Sequence, residues 1–329
     1  TGKYASFNDW AAAVDGNMPC NIAELTGHCS ARSSVAGHKA DKLTPAEEEE
    51  MLALMERDLQ QGAAGISLGL MYDPGLFADV EELKKVAALC VKYDRPLTVH
   101  PRAESKVATC YPELFGRSHL LRALDELYEV AKGTNLKLQY SHCIYVGSKT
   151  WGDVDEVEAM FDKMRSEGIR AGYDIYNEVL GVSVITVIMP TWYQALSKED
   201  RMKPFNKMKF KAFAWAVPKL LGFGFPQIQF AYGGPELKQY EGMMLTDIAK
   251  QRGEKPSDTY LYLCEKSDFA GRVNQGNYTT PEIIKRQTTS PNCLFYMTDA
   301  WIEENGVQNL ACYDTFPKFI HDALLGNGD

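Results

Sequence analysis

No Cys-x-x-Cys pair occurs anywhere in this 329-residue sequence, although it contains eight cysteines. Several of them, such as Cys90 and Cys264, fall on apolar helix faces, a pattern of buried reduced thiols rather than a disulfide framework, and one that points to a cytoplasmic setting. Positive charge is also scarce. Thirty-five Lys and Arg against 44 Asp and Glu leave a net charge of −9, without the basic stripe that a nucleic acid or an anionic membrane would require. No apolar run is long enough to span a bilayer, and the opening Thr1-Gly2-Lys3-Tyr4 lacks signal-peptide character. Gly222-Phe223-Gly224 does not complete a dinucleotide fingerprint and there is no phosphate loop, which excludes the usual nucleotide cofactors. Short repeats, low-complexity tracts and interdomain linkers are missing too. What remains is a small-molecule partner.

With 45% hydrophobic and 24% charged residues the chain can bury a large core. Its patterning alternates strand and helix. Cys20 to Gly27 reads as a strand, and Thr44-Pro45-Ala46-Glu47 as a capped helix start with Met51, Leu52, Met55 and Leu59 at helical spacing. Gly65 to Leu70 reads as the next strand. Asp79 opens a helix with Glu82 as its capping partner, and Val80, Leu83, Val86, Ala87 and Cys90 form its inner face. A strand to His100, a helix near 117–132, a strand over 136–142, a helix over 153–167 and a strand from Ile169 to Tyr176 follow. This alternation predicts a parallel sheet covered by helices. After Tyr176 the rhythm breaks. Residues 181–226 are rich in Trp, Phe, Met and Lys and read as a lid-like insertion before a short strand at 227–232. Helices near 243–252, 256–266 and 280–288 then lead to a strand over 293–299. Three units are expected: barrel over 1–180, insertion over 181–255, and barrel closure over 256–329.

Three strands end on residues able to bind a metal or move a proton. They are Leu97-Thr98-Val99-His100-Pro101-Arg102, Gln139-Tyr140-Ser141-His142 and Tyr296-Met297-Thr298-Asp299. On a parallel barrel that placement reads as catalytic. Arg102 and Glu104 are expected to pair, either holding the histidine strand or sitting at the rim. Plainer readings apply to the other histidines. His28 and His38 are expected in structural hydrogen bonds, and His119 and His321 at the surface. Cys143 should point away from the mouth, because successive strand residues face opposite sides.

The segments Asn21 to His28, Gly62 to Gly75, His100-Pro101-Arg102-Ala103-Glu104, Ser141-His142, Trp151-Gly152 and Asp174-Ile175-Tyr176, in this order and spacing, resemble the D-aminoacylase (N-acyl-D-amino-acid deacylase) branch of the amidohydrolase superfamily. The resemblance implies a (β/α)8 TIM-like barrel, with strands three to eight in this chain. It also implies one or two zinc ions, or another divalent metal, activating water against an amide C–N bond. His100, His142 and Asp299 match its metal ligands, and Asp299 matches its proton shuttle. Tyr176 matches a position that orients substrate.

Departures from the family pattern carry their own expectations. The His-x-His pair of its first strand and the metal-binding cysteine of its second do not occur, nor does its small β-sandwich. The missing strands are therefore expected from an N-terminal segment or a companion chain, in an oligomer. Ile144 stands where a lysine commonly follows the second histidine, and Ala311 where an arginine binds the substrate carboxylate. A less anionic amide or a cyclic one then becomes a candidate substrate, with a standard N-acyl-D-amino acid retained only where Lys149 or a lid lysine such as Lys207 takes the carboxylate. The alternative is a non-catalytic or degenerate subunit that keeps the barrel for assembly. A single-metal enzyme built on His100, His142 and Asp299 is the third reading.

Overall fold

A computed structural model describes residues 4–108, 110–111, 116–300 and 302–325. Residues 1–3, with the opening Thr1, lie outside it. Nine strands are found among the described residues: β1 (Thr26–Gly27), β2 (Ile66–Gly69), β3 (Pro96–His100), β4 (Lys137–Tyr140), β5 (Arg170–Ile175), β6 (Gly181–Val184), β7 (Ile228–Tyr232), β8 (Arg272–Gln275) and β9 (Cys293–Tyr296).

Six of them form one sheet in the order β1-β2-β3-β4-β5-β9, every pairing parallel. These are the six strands expected as three to eight of a (β/α)8 barrel. Parallel neighbours need a crossover, and the crossovers are helical. The Pro45–Gln60 helix has the reciprocal Thr44–Glu47 capping box and buries Met51, Met55 and Leu59. The helices Val80–Lys92, His119–Ala131 and Val154–Ser166 bury Leu83, Val86, Leu124, Leu127, Phe161 and Met164 in the same apolar cluster as the sheet.

Several local expectations change in three dimensions. The strand read from Cys20 to Gly27 shrinks to Thr26–Gly27. At the sheet's edge it has β2 as its only neighbour among the described residues, and residues 20–23 lie exposed. Asp79 does cap its helix, accepting from the Glu82 backbone N–H at 2.9 Å. The Glu82 carboxylate, however, turns inward to His28 Nε2 at 2.7 Å and Arg32 Nε at 3.2 Å. His119 is buried, not exposed, because its Nδ1 meets the Ala108 backbone at the start of its helix.

β6, β8 and β7 form a second, antiparallel sheet with β8 in the middle. Its apolar cluster joins Ile185, Phe210, Ile228 and Phe230 to Tyr260, Leu263, Cys264 and Val273. The 181–255 span thus packs with residues beyond 255, since the central strand comes from there.

At its far end the parallel sheet finishes on β9, whose Leu294, Phe295 and Tyr296 are exposed. Apolar groups along an unpaired edge invite association.

Candidate metal centre

β3 and β4 lie side by side, with Val99 opposite Tyr140. His100 therefore closes one strand while His142 stands just past the end of the next. Their rings meet edge-on, 4.4 Å between centroids. Glu104, four residues after His100, folds back over both. One ligand atom from each of His100, Glu104 and His142 falls within 4.8 Å of the others.

His142 adopts a left-handed backbone, φ 37°, which an L-residue other than glycine holds only against strain. Asp174 on β5 supplies the restraint. Its Oδ1 accepts the His142 backbone N–H at 2.5 Å, and its Oδ2 accepts from Gln139 Nε2 at 2.9 Å. Asp299, just beyond β9, has φ 45°. Two of the three mouth residues therefore sit in strained turns, where a chain leaves its strand.

The electrostatics pull the site apart. Burial lowers His100 to about 4, helped by His142. Burial also works against a charged His142, but the Glu104 carboxylate, aided by Asp299 and Asp174, outweighs it and raises His142 to about 10. Asp299 is raised to about 6, chiefly by burial, with His142 opposing and Glu104 and Asp174 assisting. A neutral imidazole, a cationic imidazole and two carboxylates thus share one mouth.

His100 Nδ1 lies 3.0 Å from the Pro101 carbonyl. A carbonyl only accepts, so that nitrogen carries the proton and Nε2 keeps its lone pair. The Tyr72 hydroxyl sits 2.9 Å from Nε2 and covers it. Glu104 Oε1 and His142 Nδ1 approach to 2.7 Å, yet neither atom has a properly directed hydrogen bond among the described residues. Two imidazoles and a carboxylate form a donor set that suits zinc. The residues fit the metal.

Other expected site residues fall as follows. Arg102 does not pair with Glu104. Its guanidinium binds Glu126 at 2.9 Å and the Leu76 and Ala78 carbonyls, anchoring the strand from behind. Tyr176 is buried, with its hydroxyl unpartnered among the described residues. The Lys149 side chain is exposed, and no bond joins it to the metal cluster among the described residues. Cys143 is buried in the main core, as alternation implies. Ile144 and Ala311 pack with Tyr176 in a small apolar cluster bordered by Val146, Tyr278, Met297 and Ala300. Sequence reasoning missed Tyr72 and Asp174, and gave Glu104 only a supporting part. The signals were present: Glu104 follows His100 by four, and Asp174 precedes Tyr176 in a quoted motif.

No family model matches the chain. Among curated proteins it is 26% identical over 174 residues to N-acyl-D-glutamate deacylase of Alcaligenes xylosoxydans xylosoxydans, covering 53% of this chain and 33% of the relative. It is 27% identical over 162 residues to N-acyl-D-aspartate deacylase of the same organism, covering 49% and 30%. The chain spans about a third of the length of these relatives. Among solved structures, N-acyl-D-glutamate deacylase from Bordetella bronchiseptica, complexed with zinc and a phosphonate inhibitor, superposes with TM-score 0.74 at 21% identity over 98% of this chain and 58% of that one. D-aminoacylase gives 0.70 at 20%, over 98% and 57%. In sequence over about half of its length the chain is similar to N-acyl-D-amino-acid deacylases, and its fold is that of the D-aminoacylase structures.

Proposed function

We propose that this chain forms the catalytic mouth of a zinc-dependent amidohydrolase that hydrolyses an amide C–N bond. The observation that carries the reading is the convergence of His100, Glu104 and His142 at the carboxyl ends of adjacent parallel strands, with Asp299 close enough to act on His142. His100, Glu104 and His142 would hold the metal. Asp299, expected from the resemblance as a ligand, is proposed here chiefly as the proton carrier, with a second metal left to stoichiometry.

When bound, zinc supplies Lewis acidity that brings the pKa of water to about 7. The Asp299 carboxylate accepts the proton from attacking water and delivers it to the departing amine nitrogen. The buried Tyr176 hydroxyl donates to the amide carbonyl oxygen, where negative charge develops. Asp174 holds the His142 backbone in register while charge moves.

Ile144 and Ala311 meet against Tyr176, and neither can pair with a carboxylate. This supports an uncharged or cyclic amide as substrate, and leaves the exposed Lys149 as the basic group proposed for any anionic end. The exposed apolar edge of β9 supports a further partner: additional strands, from another segment or chain, within a cytoplasmic oligomer.

The test is hydrolysis of a panel of N-acyl and cyclic amides by the zinc-loaded chain, with bound metal and assembly mass read by native mass spectrometry. Metal-dependent turnover lost in Asp299→Asn supports the reading. An intact fold that takes up no zinc favours the non-catalytic subunit instead.

A further inference from the structure

The 18-residue helix Pro204–Leu221 lays one face on the apolar cluster of the second sheet, burying Phe210 there and packing Ala214 and Leu221 against it. Its opposite face is apolar as well. Phe205, Met208, Ala212, Trp215 and Lys219 follow at i, i+3, i+7, i+10 and i+14, one stripe of a helix, and all five lie exposed. Phe205 is 65%, Met208 60% and Trp215 71% accessible. A helix apolar all round needs a second cover, and large side chains this open mark a contact surface.

The chain's net charge of −9 conceals a local exception. The helix carries Lys207, Lys209, Lys211 and Lys219 and contains no Asp or Glu. Two nearby carboxylates are already engaged, Asp200 with Lys203 and Asp258 with Lys211. Lys209 and Lys219 hold no ion pair among the described residues. Their ammonium groups stand over aromatic rings instead, Lys219 Nζ 3.7 Å from the Trp215 centroid and Lys209 Nζ 4.7 Å from that of Trp192, which is itself exposed.

Rings and thioethers with cations beside them suit a bilayer interface, where Trp sits at headgroup depth and lysine stems reach back to phosphate. Other occupants fit less well. A second copy docked by this same face would set lysines against lysines, and a nucleic-acid backbone would satisfy the lysines yet leave Met208 and Leu220 uncovered.

From the exposed Phe205, Met208 and Trp215 stripe and its unpaired lysines, we infer that the outer face of the Pro204–Leu221 helix binds the surface of an anionic phospholipid bilayer. The three apolar side chains enter the headgroup region, and Lys209 and Lys219 pair with lipid phosphates and carboxylates. The rest of the chain is acidic and is repelled by such a surface, so one orientation is selected. Among the described residues no helix is long and apolar enough to cross a membrane, and the contact stays at the interface. It is separate from the metal-dependent chemistry.

Cosedimentation of the 329-residue chain with vesicles tests the inference, one set of phosphatidylcholine alone and a second with about 30 mol% phosphatidylserine, at about 50 mM salt, where surface charge is weakly screened. Binding to the anionic set is expected to be about tenfold tighter or more. Lys209→Glu combined with Lys219→Glu should weaken it at least about twentyfold, since each lysine near such a surface contributes about fivefold. Trp215→Ser, which keeps every charge, should weaken it about tenfold. All three positions are exposed, so the fold is expected to persist, and circular dichroism checks it. Should either variant fail to fold, the wild-type preference and its loss at about 500 mM salt decide alone. Equal binding to the two vesicle sets, a folded double lysine variant that binds as wild type does, or a dimer or RNA complex formed while vesicles are ignored would overturn the inference.

Discussion

His142 Nδ1 lies 2.7 Å from Glu104 Oε1, and the two side chains are almost sealed from solvent. Burying this pair without a well-directed hydrogen bond costs free energy that a cation between the donors would recover. Glu104→Gln is accordingly expected to weaken zinc binding at least about a hundredfold, measured by chelator competition, because a carboxylate ligand and its charge are lost together. Asp299→Asn should alter affinity much less while abolishing turnover. Equal losses of affinity in both variants would place Asp299 among the essential ligands.

The Tyr72 hydroxyl competes for the His100 lone pair. Tyr72→Phe removes that hydrogen bond, worth about 1 kcal/mol, and should tighten zinc binding by up to about fivefold. Weaker binding in the variant would show that Tyr72 supports the metal rather than masking its ligand.

In the metal-free chain, Asp299 rises from its ordinary 3.8 to about 6, mainly through burial. A carboxyl raised in the folded state favours folding while protonated. Its contribution is full below 3.8 and lost as pH climbs through about 6. His100, lowered from 6.5 to about 4 by burial, contributes in the opposite sense: fully above 6.5, and progressively less as pH falls through about 4. The two slopes oppose each other in one window. Asp299→Asn removes only the first, so its stability relative to wild type should rise by about 2 kcal/mol between roughly pH 4 and 6 and then level off. Urea titrations at intervals across that range would show it, and a constant difference would refute the placement of Asp299.

Arg102 is buried and bonded to Glu126 and two backbone carbonyls. Arg102→Ala leaves these groups without partners and should destabilise the fold by about 3 kcal/mol. Zinc affinity, corrected for the unfolded fraction, should fall far less than in Glu104→Gln. A matching loss would mean that Arg102 acts on Glu104 after all.

The apolar contact of Ile144 and Ala311 with Tyr176 sets an expectation for selectivity. Wild type should hydrolyse an uncharged N-acyl amide faster than the matching N-acyl amino acid. Ala311→Arg should narrow that preference about tenfold, by supplying a carboxylate partner. A preference for the free carboxylate in wild type would instead assign anion binding to Lys149 or to a lid lysine.

Much of the scaffold could be read from local pattern alone. Parallel strands buried by helices need apolar runs, and the turns between them need caps, so Thr44, Asp79 and the face carrying Leu83, Val86 and Cys90 announced their elements by spacing. His100 and His142 were legible for the same reason, each closing a recognisable strand. What separates chain neighbours was not legible. Glu104 was matched to nearby Arg102, yet the fold sends Arg102 to Glu126 and Glu104 to His142. Glu82 was read as a helix cap, but tertiary packing turned its carboxylate onto His28 and Arg32, fifty-odd residues away.

Period and capping are short-range physics, and the amino-acid order therefore determined by itself the parallel sheet and the two histidines at its mouth. Which charge pairs with which depends on where whole strands come to rest. Only the tertiary structure decided that Glu104 comes together with His100 and His142, that Asp174 restrains His142, and that Ile144 and Ala311 meet. Long-range partners of a buried charge are chosen by desolvation, which forces each ionised group onto whatever counter-charge the packed fold brings within reach.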